Sequence, residues 1–311
     1  MAKIFRKRTP LLVSWAITHR CNNKCIYCNI WNVNSKELNT KQIFPIIDEL
    51  SQLGTQIIHF TGGEPLIRED IGIILDYCHK KDISTSIASN GLLVPQRIGE
   101  LMKLNLLGLS LDGPEEIHDY IRGAGTYRRV IEAINIAKDK GIRVRILAVL
   151  SQLNLNVIDF LLEKGREFDA PIIFQPATHL LLGGEKENPI APNEKEYKRA
   201  IDRLIANKRK TKYIANSISG LKFLYHWPYP QKIRCLSNLI SCRIEGDGRI
   251  YICFRNQYQG NQVENKNLSV RAAFSRFSSL YCDRCCCASS VELNSLLAFK
   301  MDTIFNSWNF I

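Results

Sequence analysis

Apolar runs alternate with amphipathic segments along the first 175 residues of the chain. Each run is short and mostly apolar, which is typical of a strand buried in a parallel sheet. Six runs are predicted as strands: Leu11–Ile17, Gln56–Phe60, Ile83–Ala88, Leu107–Leu111, Arg143–Leu150 and Ile172–Gln175. Strands that alternate with helices pair in parallel through right-handed crossovers. The pattern predicts an α/β fold, a partial (β/α)6 barrel of the TIM type that is open on one side.

The segment after the first strand carries apolar residues at helical spacing. These residues are Ile43, Ile46, Ile47, Leu50 and Leu53. Gly54 follows them as a C-cap, and Pro45 falls inside the pattern. Because proline is best tolerated in the first turn of a helix, the helix is predicted to begin near Pro45.

Polar residues and glycines follow four of the predicted strands. They lie in a cysteine-bearing loop after the first strand and then at Gly62-Gly63-Glu64-Pro65, Ser89-Asn90-Gly91 and Ser110-Leu111-Asp112. Active sites in barrels of this type lie at the C-terminal ends of the strands. The sequence therefore predicts one site formed by these loops. Gln175 and Arg122 are weaker candidates, since a core or surface role is more typical of such residues.

Composition narrows the class of protein. Apolar residues make up 45% and charged residues 23%, as in ordinary globular proteins. No signal peptide is recognised and no apolar stretch of about 18 residues occurs, so a cytoplasmic protein without a membrane span is expected. The net charge of +12 comes from dispersed Lys and Arg residues. The dispersed pattern favours solvated faces over a nucleic-acid footprint, whereas the basic net charge favours an anionic partner.

Three of the eleven cysteines, Cys21, Cys25 and Cys28, follow the first strand at C-x3-C-x2-C spacing. Clustered cysteines in a cytosolic chain favour metal binding over disulfides. Three thiolates hold three corners of a four-iron cluster and leave the fourth iron open to another ligand. A zinc site is the alternative, and His19 is the nearby residue that could complete it.

These cysteines, with Gly62–Pro65 about forty residues later, resemble the motifs of the radical S-adenosylmethionine (SAM) superfamily. The resemblance implies a [4Fe-4S] cluster whose open iron binds SAM. It also implies that Gly62, Gly63, Glu64 and Pro65 contact the methionine amino group and that the backbone at Tyr27 meets the adenine. Residues that match positions near the ribose and the methionine carboxylate are Ser89, Asn90, Ser110 and Asp112. Ordinary turn formation is the alternative for Asn90-Gly91 and Asp112-Gly113.

A second set of cysteines lies in the last 77 residues of the chain. Its members are Cys235, Cys253, Cys282 and Cys285. A hairpin of Ser241–Glu245 and Arg249–Phe254 is predicted between the first two. The spacing resembles the opening of the SPASM and twitch domains, which carry auxiliary iron–sulfur clusters in radical SAM enzymes.

A complete SPASM pattern would continue with further cysteines, which this sequence lacks after Cys287. The resemblance therefore implies the shorter twitch version, with one auxiliary [4Fe-4S] cluster. Cys242, Cys286 or Cys287 could replace a nominated ligand, and a structural zinc ribbon is the alternative.

The composition changes after residue 225. The segment Trp227–Pro230 reads as a linker, which divides the chain into a core barrel, residues 1–225, and an auxiliary-cluster domain, residues 226–311. Apolar residues at helical spacing in Val291–Trp308 predict a C-terminal helix that packs against the barrel.

The resemblance implies an oxidoreductase or maturase. An external one-electron donor of the flavodoxin or ferredoxin type would reduce the first cluster. SAM would then yield a 5′-deoxyadenosyl radical that abstracts hydrogen from a substrate C–H bond. The expected outcome is a net oxidation or cross-linking of a small molecule or peptide, with an anionic substrate among those expected. An RNA-modifying enzyme and a non-catalytic iron–sulfur redox sensor are the alternatives.

Overall fold

The computed structural model describes residues 9–229, 233–253, 269–277, 281–282 and 285–306. In these ranges the strands are β1 Leu12–Thr18, β2 Ile57–Gly62, β3 Ser84–Ser89, β4 Leu106–Ser110, β5 Val144–Leu150, β6 Ile172–Pro176, β7 Ile233–Arg234, β8 Ser241–Ile244, β9 Ile250–Tyr251 and β10 Tyr281–Cys282. The α-helices are α1 Thr40–Leu53, α2 Ile71–Lys80, α3 Val94–Arg97, α4 Glu115–Arg122, α5 Thr126–Asp139, α6 Ile158–Glu167, α7 Glu194–Lys208, α8 Ile218–Leu224, α9 Val270–Ser275, α10 Ala288–Leu297 and α11 Met301–Asn306. None of these helices is long and apolar enough to cross a membrane.

Strands β1 to β6 lie side by side in sequence order, and each pairs with the next in parallel. The predicted partial (β/α)6 barrel is confirmed, and all six strands were placed to within two residues. The strand ends are set by the apolar runs, because one face of each strand packs against helices. On β1 and β2 this face is formed by Val13, Trp15, Ile58 and Phe60, all completely buried.

Helix α1 begins earlier than its proline suggested. Asn39 caps it: the Asn39 side chain accepts from the Gln42 backbone N–H, and the Gln42 side chain accepts from the Asn39 N–H, both at 3.1 Å. This capping box fixes the first turn at Thr40, and Pro45 is accommodated inside the helix. The predicted start at Pro45 is therefore wrong, whereas the end at Gly54 is confirmed by its left-handed φ of 90°.

The C-terminal hairpin extends the barrel sheet. β8 pairs with β9 in antiparallel fashion, which confirms the predicted hairpin over Ser241–Tyr251; Phe254 lies outside the described residues. β8 also pairs in parallel with β1, in register from Leu12 with Ser241 to Trp15 with Ile244. The hairpin is therefore a direct neighbour of the strand that leads into the cysteine loop.

Two short helices, α10 and α11, form the predicted C-terminal helical region, whereas Trp308 lies outside the described residues. Helix α10 packs against α8 and β6, and α11 packs against α8. The Glu292 carboxylate accepts from the Ser217 N–H at 2.8 Å, and the Asp302 carboxylate accepts from the Ser219 N–H at 2.7 Å. The C-terminus is therefore held on the barrel by polar contacts as well as by packing.

Trp227, the first residue of the predicted linker, is packed in the core and is not exposed as a linker residue would be. It is buried, with its ring 4.7 Å from that of His179 and 5.1 Å from that of Tyr197. An aromatic ring of this size is more stable packed in the core than exposed in a connection. The division of the chain near residue 225 stays a prediction.

Candidate active site

The cysteine loop begins where β1 ends and carries Cys21, Cys25 and Cys28, all partly exposed. The thiols of Cys25 and Cys28 are close enough to raise the pKa of Cys21, which burial chiefly raises to about 12. Burial likewise raises the pKa of Cys28 to about 11. These thiols are therefore neutral at pH 7 unless a metal centre binds them as thiolates.

Gly62 and Gly63 bind the end of β2 to the cysteine loop. The Gly63 N–H donates to the Thr18 carbonyl at 2.8 Å, and the Glu64 N–H donates to the Arg20 carbonyl at 2.9 Å. A Cβ atom would lie 2.0 Å from the Thr18 oxygen at Gly62 and 2.2 Å from the Arg20 oxygen at Gly63. Glycine is thus required by the backbone of the cysteine loop itself, a reason that the sequence did not reveal.

A Gly63→Ala substitution should lower the free energy of unfolding by about 2–3 kcal/mol or more, because two backbone segments must separate. The matched control is Gly99→Ala, where an added Cβ meets nothing within 4 Å and the expected change is within about 0.5 kcal/mol. Urea unfolding of both variants measures the difference. Equal stabilities would contradict the close backbone contact.

Glu64 joins the ends of β2 and β3. Its fully buried carboxylate accepts from the Leu66 N–H at 3.1 Å, the Ser89 hydroxyl at 3.0 Å and the Asn90 N–H at 2.7 Å. Burial raises the pKa of Glu64 to about 7 despite these hydrogen bonds. The Asn90 amide also donates to the Asn22 side chain at 2.8 Å. The structure thus brings Glu64, Ser89 and Asn90 together beside the cysteine loop.

Asp112 and Arg122 form a buried ion pair on the other side of the loop. The Arg122 Nε lies 2.7 Å from the Asp112 carboxylate, which also accepts from the Val149 N–H at 2.9 Å. The guanidinium lies 5.5 Å from the centre of the Tyr27 ring, and one of its nitrogens is 4.0 Å from the Cys25 sulfur. Although burial opposes the charge, Asp112 holds the pKa of Arg122 above its ordinary value.

Arg122 is therefore a central residue that sequence reasoning undervalued. A signal was available, because His118 and Arg122 are four residues apart and so share one face of α4, which also buries Ile121. Ser110, by contrast, is the partly exposed last residue of β4 and lies two residues before Asp112.

The residues of the loop fit an iron–sulfur cluster with an outside ligand. Besides its three thiols, the loop holds the buried Asn23 amide nitrogen, which has no hydrogen-bond partner within the described part of the chain. His19, the suggested zinc ligand, has both ring nitrogens engaged, at 2.6 Å from the Ser35 hydroxyl and 2.8 Å from the Glu245 carboxylate. This arrangement argues against His19 as a metal ligand.

His19 instead connects the cysteine loop to the C-terminal hairpin. Its partner Glu245 also accepts from Arg243 at 2.8 Å, and Arg243 donates to the Ser14 hydroxyl at 2.9 Å. Although burial opposes ionisation, Arg243 and His19 hold the pKa of Glu245 below its usual range. The hairpin therefore supports the loop through a buried, charged network.

The second cysteine set lines one cavity near α10. The six cysteines that line it are Cys235, Cys253, Cys282, Cys285, Cys286 and Cys287. Asn294 lies beside them: its amide nitrogen is 3.9 Å from the Cys235 sulfur. Cys242 lies on β8 in the hydrophobic core, where burial raises its pKa to about 12. In the described ranges, no three Cys, His, Asp or Glu side chains are grouped to hold a single metal ion.

Comparison with known proteins identifies the family. The model of the radical SAM superfamily matches residues 15–162. A protein of Methanocaldococcus jannaschii without an assigned activity is 30% identical over 251 residues, which cover 72% of this chain and 86% of that protein. The chain belongs to the radical SAM superfamily.

Two further proteins are similar to this radical SAM chain, one in sequence and one in structure. The Fe-coproporphyrin III synthase of Methanosarcina barkeri is 29% identical over 66% of this chain and 53% of its own length. Crystal structures of Streptococcus suis SuiB bound to SAM and to its precursor peptide SuiA have TM-scores of 0.70 and 0.68 at 19% and 18% identity. The superposition on the SAM-bound structure covers 85% of this chain and 65% of SuiB, and that on the peptide-bound structure covers 88% and 66%.

At such low identity the likeness to SuiB shows the fold alone. The chain spans about half the length of the first curated relatives that it matches.

Proposed function

We propose that this radical SAM chain is an enzyme that cleaves SAM reductively and removes a hydrogen atom from a substrate C–H bond. The observation that carries the proposal is the cysteine loop, where three thiols lie within electrostatic reach of one another and both ring nitrogens of His19 have other partners. A [4Fe-4S] cluster bound there with SAM supplies the 5′-deoxyadenosyl radical. The test is the formation of 5′-deoxyadenosine by the reduced, iron-loaded protein.

The residues around the loop have separate tasks in this proposal. Glu64 holds the ends of β2 and β3 together through its hydrogen bonds to Ser89 and Asn90. Gly62–Pro65 and Asn90 therefore lie side by side next to the cysteine loop. Arg122 places a positive charge beside Cys25, which offsets part of the negative charge of three thiolates. Asp112 holds that guanidinium in place through a buried ion pair. We further propose that these residues, with Tyr27 and Ser110, border the SAM site.

We also propose that the six-cysteine cavity holds an auxiliary [4Fe-4S] cluster. Cys235, Cys253, Cys282 and Cys285 are the proposed ligands, and all four line the cavity. Because Cys286 and Cys287 line it too, either can stand in for a nominated ligand. Four protein thiolates would leave no iron open, so a cluster held there would supply an electron acceptor for the oxidation of the substrate. The net reaction is then a two-electron oxidation.

The proposed substrate is a small molecule or a peptide, and the electron donor a separate one-electron carrier. The names of similar proteins support both substrate classes: one relative is a synthase of Fe-coproporphyrin III, and SuiB was crystallised with a precursor peptide. The described sheet does not favour one class over the other: it ends at β9 on one side and at β6 on the other, where Ile172 of β6 is bridged to Ile214.

Metal content tests the second cluster. Anaerobically reconstituted protein should hold about eight iron atoms per chain, and the Cys235/Cys253/Cys282/Cys285→Ala variant about four. Cys242→Ala is the matched control, because this buried thiol lies outside the cavity and its loss should leave the iron content unchanged. Stoichiometric zinc with about four iron atoms in the purified wild type would show that the C-terminal site is structural.

A further inference from the structure

The concave face of the barrel sheet carries a row of polar side chains below the cysteine loop. In β2 and β3, alternate residues pack against the helices, so His59 and Ser86 face the inside of the barrel. The two residues are paired across the strands, and a ring nitrogen of His59 lies 2.8 Å from the Ser86 hydroxyl. Ser14 pairs with His59 on the other side and accepts from Arg243.

A second arginine lies on the same face of the sheet, two strands away from Ser86. Arg145 lies on β5 between Val144 and Ile146, which belong to the core, so its side chain is on the concave face. Its cross-strand partner is Gly108, and the partner of Gly108 on β3 is Ala88. These neighbours are small, so the guanidinium of Arg145 is the largest polar group in its layer.

Both arginines act electrostatically on His59. Burial, then Arg243 and Arg145, lower the pKa of His59 to about 4, so the ring is neutral at pH 7 and within electrostatic reach of both guanidinium groups. Arg243 is engaged by the Glu245 carboxylate at 2.8 Å. Burial and Arg143 lower the pKa of Arg145 to about 10, which leaves it charged at pH 7. The concave face therefore carries guanidinium groups as well as neutral hydrogen-bonding groups.

We propose that this concave face binds an anionic group of the substrate, a carboxylate or a phosphate, between Arg145 and the His59–Ser86 pair. Guanidinium groups bind both kinds of anion through charge-assisted hydrogen bonds, and the polar row adds neutral partners for the remaining oxygens. The inference rests on the proposed function, because it assigns a part of the substrate site beneath the cysteine loop.

Calorimetric titration of the iron-loaded protein with SAM present tests this inference, with inorganic phosphate and citrate as probes. Wild type should bind at least one probe at one saturable site per chain. Arg145→Gln and His59→Gln should each weaken that binding about tenfold or more, because a charge-assisted or buried hydrogen bond is lost. The matched control is Arg166→Gln, which removes an exposed arginine from α6 and should leave binding unchanged.

Preference for phosphate or for citrate identifies the kind of anion. The inference is overturned if wild type binds neither probe, if folded Arg145→Gln and His59→Gln bind as wild type does, or if Arg166→Gln weakens binding equally. Should Arg145→Gln fail to retain iron, His59→Gln and wild type decide the matter. Wild type that cleaves SAM but binds no anion overturns this inference alone, whereas binding without SAM cleavage overturns only the proposed function.

Discussion

The Cys21/Cys25/Cys28→Ala variant is expected to form no detectable 5′-deoxyadenosine when it is reconstituted, reduced with dithionite and supplied with SAM. The three thiols lie within electrostatic reach of one another, and burial raises the pKa of each. Without them, no cluster forms at the end of β1. The loss should be complete, because His19 is engaged by Ser35 and Glu245 and offers no replacement ligand.

The same variant should keep about half of the iron, because the C-terminal cysteines are untouched. Cys78→Ala is the control: this completely buried thiol on α2 lies in the hydrophobic core, and its removal should leave SAM cleavage at the wild-type level. Persistent 5′-deoxyadenosine in the triple variant would show that another part of the chain holds the active cluster.

The second large effect is expected from Arg122→Gln. This change leaves the completely buried Asp112 carboxylate without its guanidinium partner, which should lower the free energy of unfolding by about 3–5 kcal/mol. Arg128→Gln is the matched control, because it breaks an exposed pair with Glu115 and should cost at most about 1 kcal/mol. Urea unfolding of the anaerobically purified proteins measures both.

A double variant distinguishes the cost of the unpaired Asp112 charge from the cost of losing the packing of Arg122. The double variant Arg122→Gln/Asp112→Asn should recover part of the stability lost in Arg122→Gln, because the buried group is then neutral. If Arg122→Gln proves no less stable than Arg128→Gln, the buried ion pair is not a main support of the site.

The strands could be predicted because each carries apolar residues on the face that packs against the helices. The start of α1 is misplaced when Pro45 is taken as its first turn, because the capping-box spacing of Asn39 and Gln42 is the stronger local signal. The pairing of β8 with β1 was beyond reach. Turn residues predict a hairpin locally, but the sequence carries no signal for which distant strand lies beside it.

The candidate site shows the same limit. Cysteine spacing and the Gly62–Pro65 motif located the loop, because both are local patterns. The role of Arg122 depends on contacts with Asp112 and Cys25, which the fold alone brings together. In the C-terminal set, spacing nominated four cysteines, but the cavity is also lined by Cys286 and Cys287. A structure with the cluster bound is needed to show which of the six cysteines are its ligands.

The proposal that this chain is a SAM-cleaving enzyme is tested most directly by an assay of reductive SAM cleavage by the wild-type protein. The protein is reconstituted anaerobically, its iron is counted, and dithionite and SAM are added. We expect 5′-deoxyadenosine and methionine to appear in equal amounts and only when the reductant is present. A protein that holds its full complement of iron but leaves SAM intact would contradict the account and would favour a non-catalytic iron–sulfur sensor.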